Sequence, residues 1–289
     1  MMEAERDRVA RILAQVEDIP TLPTTVAEVL RIVDTPECSA GRLSALILAD
    51  PALSARVLRL ANSAYYGFPR AVSSVLQAIT LLGFATLRNV ALSAAVFDLF
   101  RPTSGRTLDL EGLWRHSVAV AASSKLVARR IRYTPLEKAF TAGLLHDLGK
   151  LIIARYLHSS QERIMALVES ESIPIGDAEQ RVLSVSHPAF GAWLAARWSF
   201  PPSLVDAIAF HHHPASAEDN LSLAAIVYLG DIVTRRVGLG CGGDRVPRTL
   251  DPAILQAVGL SDADIDELCV ALEARQDDVA AFAAALGKH

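Results

Sequence analysis

Seven of the eight histidines lie between residues 109 and 237, with carboxylates set among them inside apolar runs. His146 and Asp147 are adjacent in Gly143-Leu144-Leu145-His146-Asp147-Leu148-Gly149-Lys150, and Asp231 interrupts the apolar stretch from Leu221 to Val233. A carboxylate in such surroundings is costly unless it is paired or bound to a cation. Imidazole and carboxylate donors together suit a divalent first-row transition metal, here iron or manganese. Such an ion polarises a phosphoryl oxygen and lowers the pKa of a bound water, and two ions about 3.5–4 Å apart can share one bridging carboxylate. Asp147 is the natural bridge, because its neighbour His146 can hold one ion at the same time.

Each of these residues admits a second reading. His116, in Leu113-Trp114-Arg115-His116-Ser117, is either a ligand or a satisfied, partly buried histidine. His146-Asp147 fits a polar site or a helix-end pairing. His187 is either a ligand or the cap of the helix that Pro188 opens. His211 and His212 reach one site only if their helix ends there, as Pro214 indicates. Lys150, one turn beyond Asp147, either faces a phosphate as the catalytic cation of a hydrolase or is a plain helix-end charge. His158 and His213 read as outward-facing, and the terminal His289 carries no role.

The elements that must position these groups are helices. Strand-like alternation is scarce, Ala, Leu and Arg are abundant, and the pattern predicts about fifteen short helices. Asp50-Pro51 reads as a cap followed by proline at the first helical position, with Leu53, Val57 and Leu60 on one face. His187-Pro188 and Pro201-Pro202 open further helices. Gly149 is expected to close the His146-Asp147 helix in the left-handed conformation. A polar, turn-rich linker is read at residues 101–105. Three regions follow: an N-terminal helical half at 1–108, a histidine-bearing helical core at 109–240, and a C-terminal helical hairpin extension at 241–289.

Composition narrows the function classes. The net charge is −4, without the basic excess that phosphate neutralisation demands, so nucleic acid is not an expected partner. The densest basic run, Arg129, Arg130 and Arg132, falls at a helix end, where positive charge suits the dipole. Cys38, Cys241 and Cys269 make neither a disulfide framework nor a zinc knuckle, which suits a reducing compartment. Residues 1–17 are charged and mixed and read as no signal peptide. The apolar stretches at 75–87 and 221–229 fall short of the roughly 18–20 residues a bilayer span needs. The expectation is a cytoplasmic protein without a membrane partner, its oligomeric state open.

The order His116, His146-Asp147, Asp231 resembles the H…HD…D signature of the HD phosphohydrolase superfamily. Further runs are similar to the HDOD domain, the HD-related output domain of bacterial signalling proteins. They are Ile19-Pro20-Thr21-Leu22-Pro23, Ala49-Asp50-Pro51-Ala52-Leu53-Ser54, Leu58 through Gly67, and Ala78-Ile79-Thr80-Leu81-Leu82-Gly83. Val185-Ser186-His187 and Ala207-Ile208-Ala209-Phe210-His211-His212 extend the resemblance, which covers about residues 12–235. It implies an all-α fold of the HD/phosphodiesterase type with an N-terminal helical subdomain, and a regulatory role in signal transduction. It also implies one metal site from His116, His146, Asp147 and Asp231, and a second from Asp147, His187, His211 and His212.

Family members generally have no established enzymatic activity, and many have lost metal ligands; this sequence keeps the set. The cyclic-di-GMP phosphodiesterases of the HD-GYP class follow their paired histidines with a glutamate and a Gly-Tyr-Pro loop. Here the residues are His213-Pro214-Ala215-Ser216, and the acidic position four before the first histidine is Gly112, with Glu111 one place away. The leading expectation is a stand-alone regulatory module, with a protein partner in a signalling pathway or a sensed small ligand. Tyr65, Tyr66 and Phe68 are candidates for a partner face, or else core. The other expectation is a metal-dependent phosphohydrolase acting on a nucleotide or cyclic nucleotide, and a purely structural metal is the third.

Overall fold

The computed structural model describes residues 2–14, 16, 19–33, 35–100, 108–244, 246 and 248–287. The linker read at 101–105 and His289 lie outside them. The described residues form seventeen α-helices, two 3-10 segments and no strand. In chain order the helices are α1 (Met2–Leu13), α2 (Thr24–Ile32), α3 (Ala40–Leu48), α4 (Pro51–Ala61), α5 (Val75–Leu82), α6 (Phe84–Phe97), α7 (Leu110–Arg130), α8 (Leu136–Leu145) and α9 (Leu148–Tyr156). They continue as α10 (His158–Glu171), α11 (Ile175–Leu183), α12 (His187–Arg197), α13 (Pro202–Ala209), α14 (Leu221–Val237), α15 (Pro252–Val258), α16 (Asp262–Glu273) and α17 (Gln276–Gly287). No described helix is long and apolar enough to cross a membrane.

The chain packs as two compact units. One comprises Pro20–Leu99 with Ala274–His289, the other Met1–Ile19 with Phe100–Glu273. The C-terminal stretch read as a hairpin contains three helices, because Gly259, at φ 71°, stops α15 after about two turns. Of these, α16 packs on α7 and α14, and α17 on α4.

In the unit containing α2–α6, local sequence explains the helix starts. Asp50 accepts from Leu53 N at 3.0 Å, Pro51 takes the first helical position, and Leu53, Val57 and Leu60 are buried, as the spacing predicts. Ser39 and Ser74 cap α3 and α5 in the same way. Arg56 on α4 holds Asp98 with two hydrogen bonds, at 2.5 and 2.9 Å. Tyr65 and Tyr66 pack against Phe282 of α17, with ring centroids 5.1 and 6.2 Å away, and Phe68 stacks on Tyr66. These aromatics contribute to the core of this unit and stay half-buried.

In the other unit the long helix α7 is the hub, flanked by α8 and α14. Small residues let the three axes approach. A Cβ on Gly143 of α8 would stand 2.7 Å from Ser124 Oγ, and one on Gly230 of α14 would stand 2.6 Å from the same atom. That close packing brings one residue of each helix region, His116, His146 and Asp231, to a common centre.

Candidate metal centre

The His146-Asp147 pair lies where α8 stops and α9 starts. His146 is still helical, Asp147 turns to φ −96°, ψ 13°, and a new helix begins at Leu148. On a continuous helix, adjacent side chains diverge by about 100°; the break lets both reach one centre. Gly149, expected to end the helix with positive φ, sits inside α9 instead. Its lack of a Cβ serves packing: a Cβ there would lie 1.9 Å from the His187 carbonyl oxygen. Long-range contact with α12 sets this glycine, and helix termination does not.

All seven residues named as ligands converge. Asp147 divides them between its two oxygens. Oδ2 lies 3.3 Å from His146 Nε2 and 3.8 Å from His116 Nε2, while Oδ1 lies 3.3 Å from His187 Nε2 and 3.7 Å from His211 Nε2. Asp231 Oδ1 faces His116 Nε2 at 3.1 Å. His212 Nε2 stands 2.9 Å from His187 Nε2. Three sets of donor atoms within 4.8 Å of one another result: His116, His146 and Asp231; His146, Asp147 and His211; and His187, His211 and His212.

The rings are oriented from behind. His146 Nδ1 donates to the Gly143 carbonyl at 2.8 Å and His211 Nδ1 to that of Ile208 at 2.7 Å, so each presents Nε2 inward as an acceptor. Glu179, buried on α11, accepts from both the backbone N–H of His187 (2.7 Å) and its Nδ1 (2.6 Å). His116 Nε2, His146 Nε2, His211 Nε2 and Asp147 Oδ1 are all buried without a hydrogen-bond partner. Buried polar atoms normally find partners. Four such atoms converging on one centre fit divalent cations, with imidazole and carboxylate donors of the required kind.

Fixed cations surround the same carboxylates. Lys150 Nζ donates to Asp147 Oδ2 and to the Gly242 carbonyl, each at 2.7 Å, and the amine is fully buried. Arg235, one turn beyond Asp231, donates to its Oδ1 at 2.7 Å. Arg248 donates to Asp244 Oδ2 at 3.0 Å and to His212 Nδ1 at 2.5 Å, with its Nε 3.5 Å from Asp231 Oδ2. Burial alone would push the Asp147 carboxyl up, but the charges of His146 and Lys150 override it and hold it well below the usual range. Asp231 is likewise held down against burial, chiefly by Arg235. Burial lowers His116, His211 and His212. His187 goes the other way: burial would lower it, and the neighbouring carboxylates, Glu179 foremost and then Asp147, raise it.

The glycine-rich loop after α14 closes over this centre. A Cβ on Gly240 would stand 2.3 Å from the His116 backbone nitrogen, and the Cys241 N–H donates to the Gly112 carbonyl. His158 and His213 are exposed, as read from sequence, and the Glu111 side chain is 78% exposed. Glu179, Arg235, Asp244 and Arg248 are site residues that sequence reasoning missed. Two left a signal: Glu179 is four residues after the buried Ile175 on the same helix face, and Arg235 is four after Asp231. The three cysteines are free.

Comparison with known proteins bears on this arrangement. The family profile described as the HDOD domain matches residues 19–214. A crystal structure of an HDOD domain protein of unknown function from Geobacter sulfurreducens is similar at TM-score 0.82 and 29% identity, covering 96% of this chain and 99% of that one. A Shewanella amazonensis protein provisionally named a phosphohydrolase is similar at TM-score 0.77 and 29% identity, covering 96% and 98%. An uncharacterized protein of Treponema pallidum is 25% identical over 243 residues, 83% of this chain. The chain spans about half the length of that relative, 47%.

Proposed function

The chain belongs to the HDOD domain family, and from that membership we propose that it is a regulatory signal-transduction module built around a retained metal pocket. The observation that carries this reading is the set of four orphaned donor atoms around Asp147. His116, His146, Asp147 and Asp231 would hold one divalent ion, and Asp147, His187, His211 and His212 a second, iron or manganese by donor type. A bound ion would supply Lewis acidity and a lowered pKa for coordinated water. Lys150 serves as a positioning residue, since both its hydrogen bonds point inward to Asp147 and Gly242.

Signalling output is proposed to run through a protein partner. Leu48, Leu76 and Leu81 support this: they are 58%, 48% and 46% exposed on α3 and α5, helices that pack on each other. Apolar side chains left exposed on helices are available to a partner's surface.

Metal analysis of untagged protein tests the proposal. The expected result is at least one manganese or iron ion per chain, lost in Asp147→Ala, with no hydrolysis of nucleotides or cyclic dinucleotides by the loaded protein. Less than a tenth of an ion per chain, with no thermal shift on adding manganese, would remove the metal pocket. A second reading, a metal-dependent phosphohydrolase, is favoured by one observation: the two Asp147 oxygens face separate histidine sets. Hydrolysis that disappears in Asp147→Ala would establish it.

A further inference from the structure

Beside the metal centre, and sharing His212 with it, lies a cavity of about 800 Å³ between α1, α11, α12 and α13. That volume is of the size that encloses one small organic molecule. Trp193, Phe210, Val205 and Ala196 form apolar walls, and Arg248 and His212 also line it. Trp193 and Phe210 are half-buried, with ring surface left to cover a ligand. None of the candidate ligands except His212 borders this space, so a molecule could occupy it without displacing the ions.

The chemistry of the walls selects a ligand class. Aromatic and aliphatic side chains bury an apolar body and reward a flat or branched one. Arg248 is the cation held at the polar end, tethered by Asp244 and His212 and so pre-aimed. Of the other charged groups lining the cavity, Arg6 and Asp177 are exposed and Glu5 is half-buried, and the two acids outweigh the one base. A guanidinium recognises carboxylate, sulfonate or phosphate oxygens. Behind it stand Asp244 at 3.0 Å and Asp231 at 3.5 Å. Those carboxylates offset much of its charge and repel a multiply charged head, which leaves a single negative charge as the best match.

We propose that this cavity is a sensing pocket for an amphipathic organic monoanion, an aromatic or branched apolar body with one acidic head, the head docking at Arg248. This deepens the ligand-sensing side of the regulatory reading and rests on it. It does not require bound metal, so absence of metal would count against the metal pocket and leave the test below intact.

The test uses the full chain stripped of metal with a chelator and titrated with anilinonaphthalene sulfonate, a fluorescent aromatic monoanion. Saturable single-site enhancement is expected. Naphthoate should displace the probe at least about tenfold more tightly than naphthalenemethanol, which has the body without the charge, and inorganic phosphate should not displace it. Ala196→Phe and Ala189→Leu, which fill the cavity from α12, should each weaken probe binding by about tenfold or more. Their thermal midpoints are compared with the wild type, and whichever variant keeps its midpoint decides. Non-saturable enhancement, unchanged binding in the folded filled-cavity variant, or equal displacement by acid and alcohol would each overturn the proposal.

Discussion

The ammonium group of Lys150 donates to Asp147 Oδ2 at 2.7 Å, with 1% and 0% of the two side chains exposed, and its second hydrogen bond goes to the Gly242 carbonyl. A buried charge pair contributes little against an apolar replacement, but removing one member strands the other. Lys150→Met is therefore expected to cost about 3 kcal/mol in urea denaturation of metal-stripped protein. Combining it with Asp147→Asn should cost less than the two single losses added, because the stranded charge is gone. A Lys150→Met loss below about 1 kcal/mol would place the pair with exposed ion pairs and contradict its role in holding Asp147.

Gly149 makes a sharper demand on its position. A Cβ there would stand 1.9 Å from the His187 carbonyl oxygen and 2.8 Å from Gly191 N, both backbone atoms of α12. Backbone cannot swing aside as a side chain can. Gly149→Ala is expected to destabilise by about 3 kcal/mol despite alanine's better helix propensity. It should also weaken manganese binding by displacing His187. Thermal unfolding and metal titration of the same sample check both effects, and a stability equal to the wild type would sink the packing argument.

The contrast between Gly149 and Asp231 shows what local sequence discloses here. Asp231, Asp147 and His146 stand out because a charged or polar group inside an apolar run must be accounted for by a partner. Asp50-Pro51 and His187-Pro188 mark helix starts through contacts made within one turn, so they too can be read directly. Gly149 reads locally as a helix stop, but its constraint comes from a carbonyl 38 positions away. Glu179 looks like one charge among Asp177 and Arg181 on an amphipathic helix, and only its register with Ile175 hints that it turns inward. Asp244 and Arg248 arrive on a loop without periodicity, and no local rule places them against Asp231. The all-helical fold and the gathering of the seven named side chains were legible; the cations and carboxylates that surround them were not.

Glu179 gives a prediction about metal affinity. Its Oε2 accepts from His187 Nδ1 at 2.6 Å, which leaves Nε2 free to face Asp147. A carboxylate behind a ligating histidine raises its basicity and fixes its tautomer. Glu179→Gln keeps the shape and removes the charge, and is expected to weaken manganese binding by about 10- to 100-fold. Calorimetric titration measures it, with Glu171→Gln, a partly exposed pair member of Arg181, as the control expected to bind as the wild type. Equal affinity in both variants would mean that Glu179 supports only the backbone turn before α12.

A surface pair gives a pH prediction apart from the centre. Asp264 accepts from Ser261 Oγ at 2.6 Å, from Ser261 N at 2.7 Å and from Arg130 Nε at 2.8 Å. These contacts, the Ser261 bonds foremost, hold its carboxyl at about 2, below the ordinary 3.8. A carboxyl whose pKa is depressed by folding stabilises the protein fully above its unfolded value, and that contribution is lost as pH falls through the folded value. The advantage of the wild type over Asp264→Asn should therefore hold above pH 4 and shrink between about 4 and 2. Both groups are at the surface, so the advantage is small and salt should weaken it. Parallel stability curves for the two proteins across that interval would show that Asp264 carries no fold-linked proton, and that the Arg130 and Ser261 contacts do not persist in solution.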